Sequence, residues 1–204
     1  MFSPLVELVF PSVCAGCGVP GAGMLCPACR PSRVHRPRMP IRGVSHLFAS
    51  AAYGTGTSRA LRTAKYHRRR EVMLRLASDL AKALAPALRS GGITAIVPVP
   101  TAWRRRIERG FSAPHLLADA LARELGLPIA DVLSAQNGPK QAGLDRAGRR
   151  AAVKGRYQGR GRLTGRVLLV DDVVTTGATA EACAERLRAL GASEVALAVL
   201  CAVR

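Results

Sequence analysis

Apolar positions along the chain follow two different periods. LFASAAY (residues 47–53), ITAIVPVP (93–100), VLLV (167–170) and EVALAVLCAV (194–203) are short, nearly continuous apolar runs, the pattern of strands buried on both faces. Between the first two, TSRALRTAKYHRRREVMLRLASDLAKALAPALRS (57–90) keeps helical spacing across two helices and closes at Gly91–Gly92. APHLLADALARELG (113–126) is a third helix. Ser112 stands where a cap belongs, Gly126 ends the run, and Pro128 follows. A further helix ends at RALG (188–191), and IADVL (129–133) reads as another short strand. Strands alternating with helices predict an α/β fold, a mainly parallel sheet covered on both faces.

Two stretches break this pattern. Residues 1–46 are short on periodicity and rich in Cys, Pro, Gly and Arg. They predict a small metal module followed by a basic linker, RPSRVHRPRMPIRG, ahead of a main domain spanning 47–204. Residues 134–166 are polar, Gly- and Arg-rich and without an apolar face. That is too long for an ordinary connection, so the stretch is expected to be mobile, functional or both.

Charge changes the picture next. Lys and Arg number 31 against 13 acidic residues, a formal net charge of +18 over 204 residues. Such a surplus favours anionic partners such as nucleic acid or phosphorylated metabolites, unless arginine serves only as a general solvated residue. No segment is long enough to span a bilayer, and the opening MFSPLVELVFPSVCAGC lacks the basic leader and cleavage site of a signal peptide.

Cys14, Cys17, Cys26 and Cys29 form C-x2-C-x8-C-x2-C. Each pair closes a knuckle, with Gly16 and Gly18 letting backbone amides turn toward the thiolates. Four thiolates suit a tetrahedral, closed, structural Zn2+, with an iron–sulfur cluster as the alternative. In a chain without export signals this spacing means metal rather than disulfides, and the expected location is cytoplasmic. Cys183 and Cys201 read as small buried hydrophobes.

The remaining oddity is VLLVDDVVTTGATAEACAERL (167–187), a buried strand ending in two carboxylates within a basic chain. Ligands of parallel sheets bind beyond the carboxyl ends of the strands. The loop from Val173 to Thr179 presents amides, threonine hydroxyls and a helix N-terminus, an arrangement that attracts phosphate. Asp171 and Asp172 can hold paired sugar hydroxyls directly or through Mg2+. Together they describe a ribose 5-phosphate site. A Walker B strand, a flavodoxin-like acidic pocket and plain exposed carboxylates at a strand end are the competing readings. No G-x-x-x-x-G-K-[ST] occurs for the first, and the TTGAT turn would have no role in the second.

VLLVDDVVTTGAT resembles the phosphoribosyl-pyrophosphate (PRPP) signature of type I phosphoribosyltransferases. With the cysteine pairs after LVFPSVC, LRTAKY, IVPVPTAWRRRIERGF and KQAGLDRAGRR in the same order, the chain resembles the ComF family of competence-associated proteins, a zinc ribbon ahead of a phosphoribosyltransferase-like domain. The resemblance implies that Asp171 and Asp172 hold the ribose and that Thr175, Thr176, Gly177, Ala178 and Thr179 hold the 5-phosphate. It implies that Pro98, Val99, Pro100, Thr101, Ala102 and Trp103 meet the pyrophosphate. Residues 140–154 correspond to the loop that closes over PRPP, with Lys140, Arg146, Arg149 and Arg150 as candidates to meet the leaving group; no residue is nominated as general base. The chain departs from the family at Ser112 and Ala113, where two amides are usual, and at Ala152, where Asn is usual. The implied function is PRPP·Mg binding, with transfer to a nitrogen acceptor. Single-stranded DNA binding in DNA uptake, or PRPP-responsive regulation, are the alternatives. The basic segments KYHRRR and WRRRIER suit DNA, although aromatics make up only 4% of the chain.

Overall fold

The computed structural model describes residues 12–136 and 156–203. Its main sheet has four strands, β1 (His46–Ala52), β2 (Ile93–Pro98), β5 (Arg166–Val174) and β6 (Glu194–Ala202), in the order β1-β6-β5-β2. All three pairings are parallel. β5 and β6 are central, which explains their unbroken Val, Leu and Ala: Val167 to Val170 and Val195 to Cys201 are buried from both sides. A separate antiparallel ribbon joins β3 (Leu133–Ala135) to β4 (Tyr157–Gly159).

The helices are α1 (Gly56–Tyr66), α2 (Arg70–Leu88), α3 (Trp103–Arg109), α4 (Ala113–Leu125) and α5 (Ala178–Ala189). One face of the sheet packs Leu168, Val170 and Ala198 against apolar stripes of α1, α2 and α4 such as Leu61, Leu76, Leu80, Leu117 and Leu121. The other packs Leu169, Leu197 and Val199 against Cys183 and Leu187 of α5 and against Leu133 and Tyr157 of the ribbon. α4 ends, as the sequence predicts, with Gly126 in the left-handed region at φ 67°.

Three sequence expectations are corrected. Within IADVL, Ile129 makes an isolated parallel bridge to Ile96, and a strand begins only at Leu133, paired antiparallel with Gly159. A single apolar run there masks two short pairings in different sheets. In the 134–166 stretch, read as having no apolar face, Tyr157 of β4 and Leu163 are buried, and the Leu163 N–H donates to Leu190 O at 2.8 Å. These isolated apolar residues carry no period to reveal them. Ser112 does not cap α4 with its side chain; its Oγ lies 2.9 Å from Thr101 Oγ1 and 2.8 Å from His115 Nδ1.

The cysteine segment is fastened to the helices. Thr57 Oγ1 donates to Cys29 O at 3.0 Å, Arg59 Nε to Gly16 O at 2.7 Å, and Thr63 Oγ1 to Ala15 O at 3.0 Å, all from α1. Arg30 grips buried Asp79 of α2 with two bonds of 2.8 and 2.7 Å. Burial alone would raise the Asp79 carboxyl, but Arg30 and Arg75 hold it below the usual range. Residues beyond the cysteines run along β1, where His35 and Ala49 exchange both backbone hydrogen bonds.

Candidate functional site

The strand end that drew attention in the sequence lies where β5 is still paired with β6, Asp171 opposite Val199 and Val173 opposite Cys201. Asp172 is buried, and its Oδ2 lies 2.6 Å from Lys65 Nζ, the two side chains only 12% and 13% exposed. Lys65 extends the apolar stripe of α1 formed by Leu61 and Ala64. Asp171 makes no ion pair among the described residues and meets the Lys65 charge only at a distance. Its Oδ1 accepts the Asp172 N–H at 2.8 Å, and burial, then the neighbouring Asp172 charge, push its carboxyl up to about 8. One carboxylate is thus neutralised internally, while the other becomes a ready anion once a cation or sugar hydroxyls reach it.

Both aspartates line a polar cleft of about 230 Å3. The loop Val99 to Ala102 forms another wall, so β2 and β5 deliver their C-terminal loops to one space. Arg105 and Arg109, one turn apart on α3, line it too, as does Arg156. The Arg156 Nε is buried without a hydrogen-bond partner among the described residues. A carboxylate pair faced by Lys65 and three guanidiniums suits a ligand with hydroxyls at one end and several phosphate charges at the other.

Thr175, Thr176, Gly177, Ala178 and Thr179 surround an adjoining pocket of about 40 Å3 with Asp171. α5 starts at Ala178 with no side-chain cap, leaving its N-terminal amides turned to the turn. Gly177 sits at φ 79°, and a Cβ there would stand 2.8 Å from Ile41 Cγ1. The glycine is therefore required both by the left-handed turn and by Ile41, which braces the loop from behind.

Of the sequence-predicted residues, Val99 to Ala102, Asp171 and Asp172 meet at the cleft, and Thr175 to Thr179 at its neighbour, Thr179 reaching both. Pro98 is buried within β2. Trp103 does not line the cleft and is 54% exposed at the start of α3. Lys140, Arg146, Arg149 and Arg150 lie outside the described residues. Sequence reasoning missed Lys65, Arg105, Arg109 and Arg156. Lys65 had a signal, a lysine continuing an apolar helical stripe.

The four thiol sulfurs of Cys14, Cys17, Cys26 and Cys29 lie within 4.8 Å of one another. Cys17 Sγ and Cys26 Sγ are 3.7 Å apart. That matches the edge of about 3.8 Å expected for a tetrahedron with metal–sulfur bonds near 2.3 Å. Burial would raise the Cys14 thiol, but amide hydrogen bonds from Cys26, Cys17 and Gly16 bring it down to about 6. The donor set fits a metal such as zinc. Cys183 and Cys201 are fully buried away from this cluster, and burial pushes both thiols up.

Residues 115–204 match the phosphoribosyl transferase domain model. Over 196 residues the chain is 31% identical to the DNA utilization protein YhgH of Salmonella typhimurium, covering 93% of this chain and 84% of that one. The chain belongs to the ComF family. This ComF protein is also 35% identical over 107 residues to competence protein F of Haemophilus influenzae, covering 50% of this chain and 47% of that one. Among solved structures, a purine phosphoribosyltransferase from Pyrococcus horikoshii aligns at a TM-score of 0.42 and 27% identity, over 62% of this chain and 72% of that one. The parallel sheet with helices on both faces and an N-terminal cysteine cluster is the phosphoribosyltransferase-type architecture expected from the sequence.

Proposed function

We propose that this protein binds PRPP with Mg2+ and transfers its phosphoribosyl group to a nitrogen acceptor, releasing pyrophosphate. The observation that carries this reading is the meeting of Asp171 and Asp172 with the 99–102 loop and four cationic side chains in one cleft. Asp171 and Asp172 would accept the ribose hydroxyls, and the 175–179 loop with the α5 amides would take the 5-phosphate. Lys65 pairs with the Asp172 carboxylate, and Arg105, Arg109 and Arg156, which line the same cleft, would meet the charge that develops on the departing pyrophosphate. Asp171, the aspartate not paired with Lys65, would help to hold Mg2+, which would supply charge neutralisation at the diphosphate when bound. In the cysteine module the reading is a structural Zn2+. Unbridged cysteines of this kind persist in a reducing compartment, which suits the cytoplasm. Among the described residues no helix is long and apolar enough to cross a membrane.

Phosphorus NMR of PRPP with MgCl2, the protein and a pool of nucleobases and amines tests the reading. Pyrophosphate release, abolished in Asp171→Asn/Asp172→Asn, is the expected result. Unperturbed PRPP resonances would sink it.

α3 favours a second reading. Trp103 and Ile107, one turn apart, are 54% and 64% exposed, and exposed Arg104 and Arg106 flank them. An aromatic among guanidiniums is a stacking platform for single-stranded nucleic acid, a role in keeping with the DNA-utilization and competence names of the relatives. Trp103→Ala should weaken binding of a fluorescent oligothymidylate by about 1–3 kcal/mol per base stacked. Unchanged affinity would retire the platform.

A further inference from the structure

A second, larger cleft of about 1000 Å3 opens at the carboxyl ends of β1 and β6. Its floor is made of small side chains, Ala51, Ala52 and Ala202, so nothing bulky rises from the strand ends. Arg33, His35 and Arg38 stand on its rim, and among the described residues no Asp or Glu lines it. Within it Ser50 is 7% exposed, and its Oγ is buried without a hydrogen-bond partner. An uncompensated hydroxyl inside a cleft marks a position where a ligand atom would gain a hydrogen bond that the protein alone does not supply.

The location ties this cleft to the aspartate site. Ala202 is paired in register with Val174, the last residue of β5. Its floor therefore lies one strand, about 4.8 Å, from the strand carrying Asp171 and Asp172. Met39 and Pro40 form a wall, and the next residue, Ile41, is the one packed on Gly177 of the phosphate loop. One segment thus shapes the cleft and braces the loop.

The geometry points to this cleft as the seat of the acceptor, and to an acceptor that is a flat ring bearing a carboxylate or an equivalent anionic group. This rests on the phosphoribosyl-transfer reading. A flat ring matches a floor of alanines at sheet ends, and an anion matches a rim of Arg33, Arg38 and His35 with no acid opposing it. Arg30, also at this cleft, is already paired with Asp79, which leaves Arg33 and Arg38 to select the charge. In the reaction a nitrogen of the acceptor bonds to C1 of PRPP as the C1–O bond breaks. Pyrophosphate departs with the electron pair. An acceptor nitrogen that carries a proton, as in orotate, releases it to water, whereas a ring nitrogen without one, as in nicotinate, is left as the cationic N-ribosyl ring.

The test uses matched ring pairs and the full chain, without PRPP. Saturation-transfer NMR and titration compare nicotinate with nicotinamide, and orotate with uracil. The carboxylate of at least one pair should bind at least tenfold more tightly than its neutral partner. That preference should vanish in Arg33→Ala/Arg38→Ala and persist in Arg62→Ala/Arg123→Ala, a control removing the same charge from other exposed positions. Equal affinities within both pairs, or a preference that survives Arg33→Ala/Arg38→Ala, would overturn the assignment. Because no PRPP is present, such a failure is separate from failure of the transfer reading, which the phosphorus NMR measurement reports alone.

Discussion

The cysteine cluster and the aspartate cleft are built in opposite ways. Cys14, Cys17, Cys26 and Cys29 occupy one short stretch, and their sulfurs converge because two tight knuckles leave them little else to do. The cleft draws on residues far apart in the chain: Lys65 from α1, Arg105 and Arg109 from α3, Tyr157 from β4, and the aspartates from β5. The first site is local, a donor set from one short segment that fits a metal; the second is an outcome of the fold and depends on the core. Their meeting point is α1, which receives the module through Thr57, Arg59 and Thr63 and, one residue pair further on, extends Lys65 to Asp172.

The largest effect should come from removing the module's metal. Structural zinc contributes about 10–16 kcal/mol of binding free energy in isolated finger peptides, so its loss unfolds the local site. The same helix that loses its module contacts carries Lys65, so the loss should reach the core. Cys26→Ser/Cys29→Ser is expected to abolish zinc in metal analysis and to lower the Tm by more than 5 °C. An unchanged Tm would show the module to be an independent appendage and would break the comparison at α1.

What was legible in the sequence divides along the same line. The C-x2-C spacing defines a site from its own residues, so the cluster could be read without any fold. The parallel sheet was legible because Val167–Val170 of β5 and Val195–Ala202 of β6 are apolar without interruption, and the 175–179 turn because Gly177 and its threonines follow closely on the aspartates. Arg105, Arg109 and Arg156 were not singled out for the cleft, since in a chain of net charge +18 three more arginines carry no signal. Only the fold decides that Arg105 and Arg109 face the cleft while Trp103 and Ile107 face solvent. β4 was hidden because Tyr157 is one buried aromatic in a polar stretch.

A middle-sized effect belongs to Lys65. Removing one member of a buried ion pair costs about 3–5 kcal/mol, because the remaining charge stays desolvated. Lys65→Met should therefore destabilise the protein by about 3 kcal/mol in urea unfolding, and adding Asp172→Asn should recover most of the loss. A double variant no more stable than Lys65→Met would mean that Asp172 does not depend on Lys65. The cleft would then be less a product of tertiary packing than its geometry indicates.

The effect most specific to the cleft is the pH response of Asp171. In the unfolded chain its carboxyl ionises near the ordinary value of about 3.9. In the folded, unliganded protein burial and Asp172 raise it to about 8. Between these values the native state keeps a proton that the unfolded state has released. Stability attributable to this group is therefore greatest below about pH 4 and is lost as pH rises toward 8, by linkage. Asp171→Asn cannot ionise and should remove that slope. Its Tm should match wild type near pH 4 and exceed it by a few degrees at pH 8, the carboxylate burial being a cost the apo protein carries for its ligand. Adding PRPP with MgCl2 at pH 8 should raise the wild-type Tm and leave the variant unmoved. Parallel pH profiles for the two proteins would place Asp171 among ordinary ionised carboxylates, and the division of labour between it and the Lys65-paired Asp172 would fall.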